Sequence, residues 1–263
     1  MLYHNLNPVL LRIGLIEIRY YGLFYALGFL IVYILLPYLA KRRGLPISRD
    51  DAGDFILYAI VGVVAGARFF YAVFYNPKFY IANPLEIIAL WHGGLSFHGG
   101  MIGGIIACFI FCKKKKIAFL DLADIVVIPV AIALSLGRIA NFINGELIGR
   151  VASLPWCIDY SKNQFIQNIP KGCRHPSQIY ESLKNLAIFG ILWSVKDRKL
   201  PRGFMFWSYI ALYGLFRTAV EFFRQPDEQI GLILNYFTLG QLLSFPMFLL
   251  GSYMIYRIII RKK

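Results

Sequence analysis

The stretch IVVIPVAIALSL, residues 125–136, carries no charge and runs directly into GRIANFINGELIGR, residues 137–150. The second stretch places two arginines, two asparagines and a glutamate within fourteen positions. Polar and charged groups within a membrane segment are costly and by default mark a functional site. The two stretches together therefore predict a membrane helix whose outer end forms part of a polar site.

The composition of the whole chain indicates a membrane protein. Of its 263 residues, 58% are hydrophobic and 16% are charged, whereas a soluble domain contains about 45–50% apolar and about 25% charged residues. The apolar residues cluster into runs long enough to cross a bilayer. We therefore predict one membrane domain, residues 1–263. The first residues lack the features of a cleavable signal peptide, so we expect an interfacial arm there.

The predicted fold is all-α, a polytopic membrane protein with seven transmembrane helices. The predicted spans are residues 20–40, 55–75, 93–112, 117–137, 179–195, 203–220 and 231–256. The fifth of these is the weakest, because it contains Glu181 and Lys184.

Basic residues are grouped beside the predicted spans. Sixteen of the 28 lysines and arginines form four clusters, which are Lys41, Arg42, Arg43 and Arg49; Lys113, Lys114, Lys115 and Lys116; Lys196, Arg198, Lys199 and Arg202; and Arg257, Arg261, Lys262 and Lys263. Such clusters favour the cytoplasmic side of a membrane. All four share that side if the chain starts outside, crosses seven times and ends inside. Membrane anchoring then explains the net charge of +14, and no nucleic-acid partner is predicted.

This topology makes residues 141–178 the largest external loop. The loop contains Pro155, Pro170 and Pro176 and little apolar periodicity, so we predict a small external head on the periplasmic side. Cys157 and Cys173 both lie in it. In an oxidising compartment they can form a disulfide, and two free thiols are the alternative.

Charged and polar residues of separate spans are predicted at a similar depth. With a rise of about 1.5 Å per residue, four residues lie roughly 21–24 Å above the inner boundary, namely Tyr25, Arg68, His98 and Arg217. Arg138 lies at about 33 Å if its helix is upright, and the hydrocarbon core is about 30 Å thick. These residues therefore converge on the outer third of the bilayer. The alternative is that each arginine reaches the outer headgroups independently.

Arginine is suited to bind the phosphate of a lipid at this depth. Its charge is permanent and its planar guanidinium binds phosphate oxygens in a bidentate manner. We therefore expect Arg138 and Arg217 to line a headgroup site. Glu221 follows Arg217 by four residues and lies on the same helix face, where it can hold that arginine in place. An ordinary ion pair within one helix is the alternative for this pair.

The segment WHGGLSFHGGMIGG, residues 91–104, has six glycines around two histidines. Glycine permits the close approach of a ligand, and in membranes it also permits close helix packing. His98 is the only histidine within a predicted span, and histidine is the side chain that exchanges protons near neutral pH. The chain has no HExxH, CxxC or GxSxG motif. We therefore predict no metal site, and a nucleophile that comes with the substrate.

Four segments of the chain resemble those of the prolipoprotein diacylglyceryl transferases. They are GRIANFINGELIGR, HGGLSFHGG at residues 92–100, RHPSQIYE at 174–181 and FRTAVEFFRQPD at 216–227. They occur in the family's order and are spread over more than half of the chain. Ala140 departs from the pattern, because the family commonly has glycine before Asn141. The extra methyl group is expected to loosen a helix contact or to narrow the pocket slightly.

The resemblance implies an enzyme of the bacterial inner membrane, with seven spans and an external start, that needs no cofactor. Such an enzyme moves the diacylglyceryl group of phosphatidylglycerol to the lipobox cysteine of a prolipoprotein signal peptide, and it releases glycerol phosphate. The expected catalytic residues are His98, Arg138 and Arg217. The resemblance implies that Tyr25, Asn141, Glu146, Gly149 and Glu221 bind the substrate. We also expect Arg68, from its depth, and Gly99, from its place in the glycine-rich segment, to bind the substrate.

The resemblance also suggests a mechanism. His98 accepts the proton of the substrate thiol, directly or through water, and Arg138 and Arg217 stabilise the departing phosphate. Asn141 and Glu146 position the headgroup or orient Arg138. The positive field of the arginines alone is the alternative way to activate the thiol.

Two other classes of protein remain as alternatives. A transporter or channel for an anionic solute also places arginines in a membrane cavity. A structural subunit binds the lipid without releasing glycerol phosphate.

Overall fold

The computed structural model describes residues 2–14, 16–166, 169–226, 231–233 and 236–260. Arg261, Lys262 and Lys263 of the fourth basic cluster, and Asp227 of the fourth family-like segment, lie outside the described residues. The described α-helices are α1 (Tyr20–Arg43), α2 (Arg49–Phe74), α3 (Pro77–Ala82), α4 (Phe97–Lys115), α5 (Phe119–Asn144), α6 (Ser177–Val195), α7 (Phe204–Glu221) and α8 (Leu239–Ile260), and short 3-10 helices form at Pro84–Ile87 and Leu90–His92. The described strands are β1 (Leu2–Tyr3), β2 (Val9–Ile13), β3 (Ile16–Arg19) and β4 (Ile158–Asp159).

The prediction of a mostly helical membrane protein is confirmed. Four described helices, α1, α2, α5 and α8, are long and apolar enough to cross a membrane. The other long helices, α4, α6 and α7, have 19, 19 and 18 residues and overlap the remaining predicted spans. The number of seven spans therefore stays a prediction.

Two helices, α4 and α8, begin at least four residues later than the sequence predicts. Helix α4 begins at Phe97 and not at residue 93, because Gly93 and Gly94 adopt positive φ angles of 75° and 77° and the Ser96 hydroxyl accepts a hydrogen bond from the Gly99 amide at 3.4 Å. Helix α8 begins eight residues after the predicted position, where the Thr238 hydroxyl accepts a hydrogen bond from an amide of the first turn. Capping side chains of this kind define where a helix starts.

Helix α5 ends later than predicted. It continues beyond residue 137 to Asn144, so the first eight residues of the polar stretch are helical. The helix stops at Gly145, whose φ of +67° lies in the left-handed region, the usual conformation just after a helix. As a result Arg138 and Asn141 project from a helix, whereas Glu146 lies in the loop that follows.

The chain forms two compact units, and residues 1–32 and 123–263 make up the first. In this unit α7 packs closely on α8, because a Cβ atom at Gly214 would lie 2.5 Å from the Phe248 nitrogen and the Ser244 carbonyl oxygen. Asp124 of α5 accepts hydrogen bonds from the Gly203 and Phe206 amides, both at 2.8 Å. A carboxylate at this position caps the start of α7.

The non-helical parts of the first unit include the predicted head. A disulfide joins Cys157 and Cys173, whose Cα atoms are 5.5 Å apart, which decides between the two alternatives left open by the sequence. Strand β4 in the head pairs in parallel with β1. Strands β2 and β3 form an antiparallel hairpin ahead of α1. The disulfide therefore links two points within the head, and strand pairing ties its middle, at residues 158–159, to the first residues of the chain.

Residues 33–122 form the second unit. Its helices α2 and α4 run antiparallel and approach closely at glycines, since a Cβ atom at Gly66 or Gly103 would overlap the backbone of the other helix. Lys114 of α4 pairs with Asp54 of α2 at 3.1 Å. The basic end of α4 and the start of α2 thus lie at one end of this unit, which is compatible with the predicted placement of both basic clusters on one side of the membrane.

Candidate functional site

A buried charge pair of the first unit lies at the end of α7. The Arg217 Nη2 atom is 2.7 Å from the Glu221 Oε2 atom, across one turn of the same helix. This confirms the contact predicted from their spacing. Gly240 of α8 makes room for the pair, because a Cβ atom there would lie 2.6 Å from the Glu221 carboxylate.

Glu181 of α6 lies at the centre of a larger group of charges. Its Oε1 atom accepts a hydrogen bond from Arg217 Nη1 at 2.6 Å, and its Oε2 atom accepts one from Lys184 Nζ at 2.9 Å. The Nε atom of Arg138 lies 3.6 Å from the same Oε2 atom. The Glu181 side chain is only 3% exposed. We call Arg138, Glu181, Lys184, Arg217 and Glu221 the arginine cluster; it joins α5, α6 and α7.

A second set of hydrogen bonds orients Arg138. Its Nη1 atom donates to the Asn141 Oδ1 atom at 3.3 Å, and Asn141 Nδ2 donates to Glu146 Oε2 at 3.2 Å. Asn144 donates to the other oxygen of Glu146 at 2.8 Å. The polar stretch that ends α5 therefore holds the Arg138 guanidinium from one side, while Glu181 holds it from the other.

The loop after α5 is fastened to the start of α6 by close backbone contacts. The Gln178 side-chain amide donates to the Glu146 carbonyl oxygen at 2.6 Å, and the Gly149 amide donates to the His175 carbonyl oxygen at 3.2 Å. A Cβ atom at Gly149 would lie 2.6 Å from the Cβ atom of His175 and 2.8 Å from the Phe223 carbonyl oxygen. Gly149 is therefore required for close packing of this loop.

Tyr25 is the predicted site residue of α1. Its side chain belongs to the first unit and is exposed. Its hydroxyl lies 3.2 Å from the hydroxyl of Tyr21, one turn earlier, and the two rings are in contact at 4.9 Å between centroids. One hydroxyl donates to the other, so the pair keeps one O–H that can donate to a ligand oxygen.

Arg68 of α2 lies in the second unit and is buried, with only 3% of its surface exposed. Its Nε atom donates to the Ile87 carbonyl oxygen at 3.0 Å. One terminal nitrogen donates to the carbonyl oxygens of Gly93 and Gly94, and the other donates to those of Glu86 and Ala89. A guanidinium has five N–H donors, and five carbonyl oxygens of one loop take them up.

His98 and Gly99 lie in the first turn of α4, also in the second unit. The His98 side chain is exposed. Gly99 packs against α2, where a Cβ atom would overlap the Gly66 carbonyl oxygen, so close helix packing accounts for this glycine. The Ser96 amide donates to the Ala67 carbonyl oxygen at 3.0 Å. His98 is therefore held next to the turn of α2 that carries Arg68.

The structure joins five predicted site residues in one network, Arg138, Asn141, Glu146, Arg217 and Glu221. Tyr25 and Gly149 lie in the same unit, and Arg68, His98 and Gly99 lie in the other. Sequence reasoning missed Glu181 and Lys184 as site residues. The available signal was two charges, three residues apart, inside an otherwise apolar span.

The arginine cluster is suited to bind a singly charged anion. Its three cations and two carboxylates leave one net positive charge. Arg138 keeps 22% of its side chain exposed and Arg217 keeps 11%, so both remain open to a ligand. Charges that have lost most of their water interact strongly with an incoming ion. A phosphodiester carries one negative charge and has oxygens that match the guanidinium fork.

Comparison with known proteins gives a consistent result. The family model described as prolipoprotein diacylglyceryl transferase matches residues 8–257. A phosphatidylglycerol–prolipoprotein diacylglyceryl transferase of Geobacter sulfurreducens is 48% identical over 252 residues, which cover 95% of each chain. The proteins of that name from Rickettsia rickettsii and Bordetella avium are each 42% identical, and they cover 97% and 93% of this chain and 98% and 92% of their own lengths.

Proposed function

Because this chain belongs to the prolipoprotein diacylglyceryl transferase family, we propose that it transfers the diacylglyceryl group of phosphatidylglycerol to the cysteine thiol of a prolipoprotein. The similarity to transferases of that name over nearly the whole chain is the observation that carries this proposal. The arginine cluster supports the proposal, because its positive charge can hold the phosphate of the lipid during the reaction. The same similarity gives the transporter alternative no support.

In the proposed reaction the arginine cluster holds the phosphate of phosphatidylglycerol. Arg138 and Arg217 share the Glu181 carboxylate, so their guanidinium groups face a common point. Negative charge builds up on the phosphate as the glyceryl group leaves. Fixed donors at such a position are typically worth about 2.7–4 kcal/mol each.

The bond changes follow from the substrates. The thiolate sulfur of the lipobox cysteine attacks the glyceryl carbon that bears the phosphate ester, and a carbon–sulfur bond forms while that carbon–oxygen bond breaks. Glycerol phosphate leaves with the electron pair. His98 is the proposed base that accepts the thiol proton, directly or through water. Its exposure at the start of α4 supports this role, because a base must be accessible to an incoming peptide.

Other predicted residues take supporting roles in this proposal. Asn141 and Glu146 orient Arg138, and Tyr25 offers its hydroxyl to the glycerol headgroup. Gly149 and Gly99 permit the close packing around these groups. Arg68 holds the loop of residues 86–94 and does not bind the headgroup, because its five N–H groups all donate hydrogen bonds to backbone carbonyl oxygens of that loop.

We also propose that the protein crosses the bacterial inner membrane seven times, with its start outside and its end in the cytoplasm. The four basic clusters support this orientation. The disulfide between Cys157 and Cys173 supports placing the head, residues 141–178, in the oxidising periplasm. The bound peptide would then approach as a signal peptide embedded in the surrounding lipid.

A transfer assay tests the proposal. Purified protein in vesicles of phosphatidylglycerol is mixed with a lipobox peptide, and mass spectrometry follows the peptide while glycerol phosphate is measured in solution. We expect one thioether-linked diacylglyceryl group per peptide and an equal amount of glycerol phosphate. A peptide with serine in place of cysteine should stay unmodified. Lipid binding without glycerol phosphate, or flux of an anion into sealed vesicles without peptide modification, would refute the proposal.

A further inference from the structure

Lys184 is a buried cation that the reaction scheme does not use. It lies in the middle of α6, and only 2% of its side chain is exposed. Its Nζ atom is 2.9 Å from the Glu181 Oε2 atom, one turn away, and 3.9 Å from the centroid of the Tyr213 ring. A charge buried to this degree needs a paired or aromatic partner, and Lys184 has both.

Lys184 and the two arginines compete for the same carboxylate. Glu181 presents its Oε1 atom to Arg217 at 2.6 Å and its Oε2 atom to Lys184 at 2.9 Å, with Arg138 more distant at 3.6 Å. Lys184 is thus closer to the shared oxygen than Arg138 is. Because it takes up part of the Glu181 charge, Arg138 is left less tightly paired.

The net charge of the arginine cluster depends on Lys184. Three cations and two carboxylates give +1 with Lys184 present, and two cations with two carboxylates give zero without it. Glu146 approaches the cluster only through Asn141. A neutral cluster has each arginine charge already balanced by a carboxylate. A singly charged phosphate must then displace a carboxylate to bind.

We propose that Lys184 is a positioning residue for lipid binding, which neutralises Glu181 so that Arg138 and Arg217 remain available to the phosphate of the lipid. Lys184 acts through Glu181 and does not touch the substrate. This inference rests on the proposed function, because it takes the arginine cluster as the phosphate site. With a net charge of +1, the arginine cluster is expected to accept a headgroup that carries a single negative charge.

The test is the variant Lys184→Met in the transfer assay, with phosphatidylglycerol diluted to known mole fractions in neutral detergent micelles. Methionine has a similar length and no charge. We expect the KM for phosphatidylglycerol to rise about tenfold, as measured coupling between close charges suggests, while kcat changes less than about threefold. Lys199→Met, which removes an exposed lysine, is the matched control and should leave the KM unchanged.

A second variant distinguishes a charge effect from damage to the fold. The double variant Glu181→Gln with Lys184→Met removes one charge of each sign and returns the net charge to +1. Its KM should fall back toward that of the unmodified protein, although its kcat drops because the arginines lose their common partner. Lys184→Arg keeps the charge and should keep the KM within about threefold.

Two results would overturn the inference. One is an unchanged KM in folded Lys184→Met, and the other is a KM in the double variant that is no lower than in Lys184→Met. Arg217→Lys in the same assay separates this failure from failure of the proposed function. If Arg217→Lys is impaired and Lys184→Met is normal, only the role of Lys184 is wrong. If Arg217→Lys is fully active, the phosphate site itself is wrong.

Discussion

Arg217 and Arg68 lie in different units of the molecule, and they are bound in opposite ways. Arg217 faces two carboxylates, Glu181 and Glu221, in a group that carries one net positive charge. Arg68 faces five backbone carbonyls of a single loop. The first arginine can share its charge with an incoming anion, whereas the second has no N–H donor left to offer.

The difference shows that burial and depth alone do not identify a ligand-binding arginine. Both residues are predicted at nearly the same depth from their positions in the sequence, and both side chains are largely buried. Their partners separate them, because a carboxylate can be exchanged for a phosphate while a loop carbonyl would be left unsatisfied. An unsatisfied buried carbonyl costs about 1–3 kcal/mol.

Replacing Arg217 by lysine should have the largest effect. A lysine keeps the charge and loses the planar fork that spans two oxygens. We expect kcat for transfer to fall by about 10²–10³-fold, which is the usual effect of losing one fixed hydrogen-bond donor to a developing anion. Arg138→Lys should behave in the same way. The transfer assay with lipobox peptide measures this.

The control for these variants is Arg49→Lys, which conserves charge at an exposed position of the first basic cluster. It should leave transfer unchanged. Full activity of Arg217→Lys, at a rate equal to that of the control, would remove the proposed role of the guanidinium fork.

Breaking the disulfide should destabilise the unit that holds Arg217. Cys157 and Cys173 are separated by 16 residues, and a crosslink over a loop of this length is worth about 3 kcal/mol. We expect Cys157→Ser with Cys173→Ser to lower the free energy of unfolding by that amount. In hydrogen exchange, amides of residues 145–166 and 169–176 should lose protection while those of residues 86–94, held by Arg68, keep theirs.

Cys108→Ser serves as the control, because this cysteine is not disulfide-bonded. An unchanged unfolding free energy in the double serine variant, or equal loss of protection in both segments, would contradict this prediction.

Replacing Arg68 by lysine should loosen one loop and affect catalysis less than Arg217→Lys. Lysine offers three donors where five carbonyls are present, so at least two carbonyls lose their partner. We expect amides of residues 86–94 to exchange faster. The kcat should fall about tenfold, because misplacement of a neighbouring catalytic group reduces the rate, and the KM for phosphatidylglycerol should change little.

Arg217→Lys is the reciprocal control, since it should leave exchange in this loop unchanged. If Arg68→Lys instead raised the KM and left the loop protected, Arg68 would be a headgroup ligand, as the sequence alone suggested.

The smallest effect concerns pH and His4, which ties the start of the chain to the region of Arg138. Its Nε2 atom donates to the Phe142 carbonyl oxygen at 2.7 Å, and its Nδ1 atom accepts from Asn163 Nδ2 at 2.6 Å. Burial lowers the pKa of His4 below its ordinary value of 6.5. The neutral form is therefore favoured in the folded protein, and protonation would oppose the bond from Asn163.

The sign of the pH dependence follows from this shift. The stabilisation by His4 is complete above pH 6.5 and is lost as the pH falls from 6.5 through the lowered pKa of the folded state, because only the unfolded chain binds a proton in that window. We expect the midpoint temperature of thermal unfolding to decrease when the pH is lowered from 7.5 to 5.5. This decrease should be smaller in His4→Gln than in the unmodified protein. Equal pH dependence in both proteins would contradict this role.

Much of the first unit could be predicted from the sequence because its contacts are local. Arg217 and Glu221 are one turn apart on α7, and that spacing alone predicts the ion pair. The chain from Arg138 through Asn141 to Glu146 also lies within nine residues. In both cases the helix geometry places the partners, so the contacts follow from the order of residues.

Contacts between distant segments could not be predicted in this way. Glu181 is one of two charges in a weak predicted span, and its role could not be predicted because its partners Arg138 and Arg217 lie on other helices. The role of Arg68 depends on the direction of the carbonyls in residues 86–94, which two glycines with positive φ help to set. Pairing of Cys157 with Cys173 required the 5.5 Å separation that only the fold defines.

Direct binding of phosphatidylglycerol tests the distinction between the two arginines without the chemical step. Native mass spectrometry would measure the fraction of protein that retains one phosphatidylglycerol, in parallel for the unmodified protein, Arg217→Lys and Arg68→Lys. We predict weaker lipid retention for Arg217→Lys only, with Arg68→Lys equal to the unmodified protein. Equal losses in both variants, or a loss in Arg68→Lys alone, would contradict the assignment of the lipid phosphate to the arginine cluster.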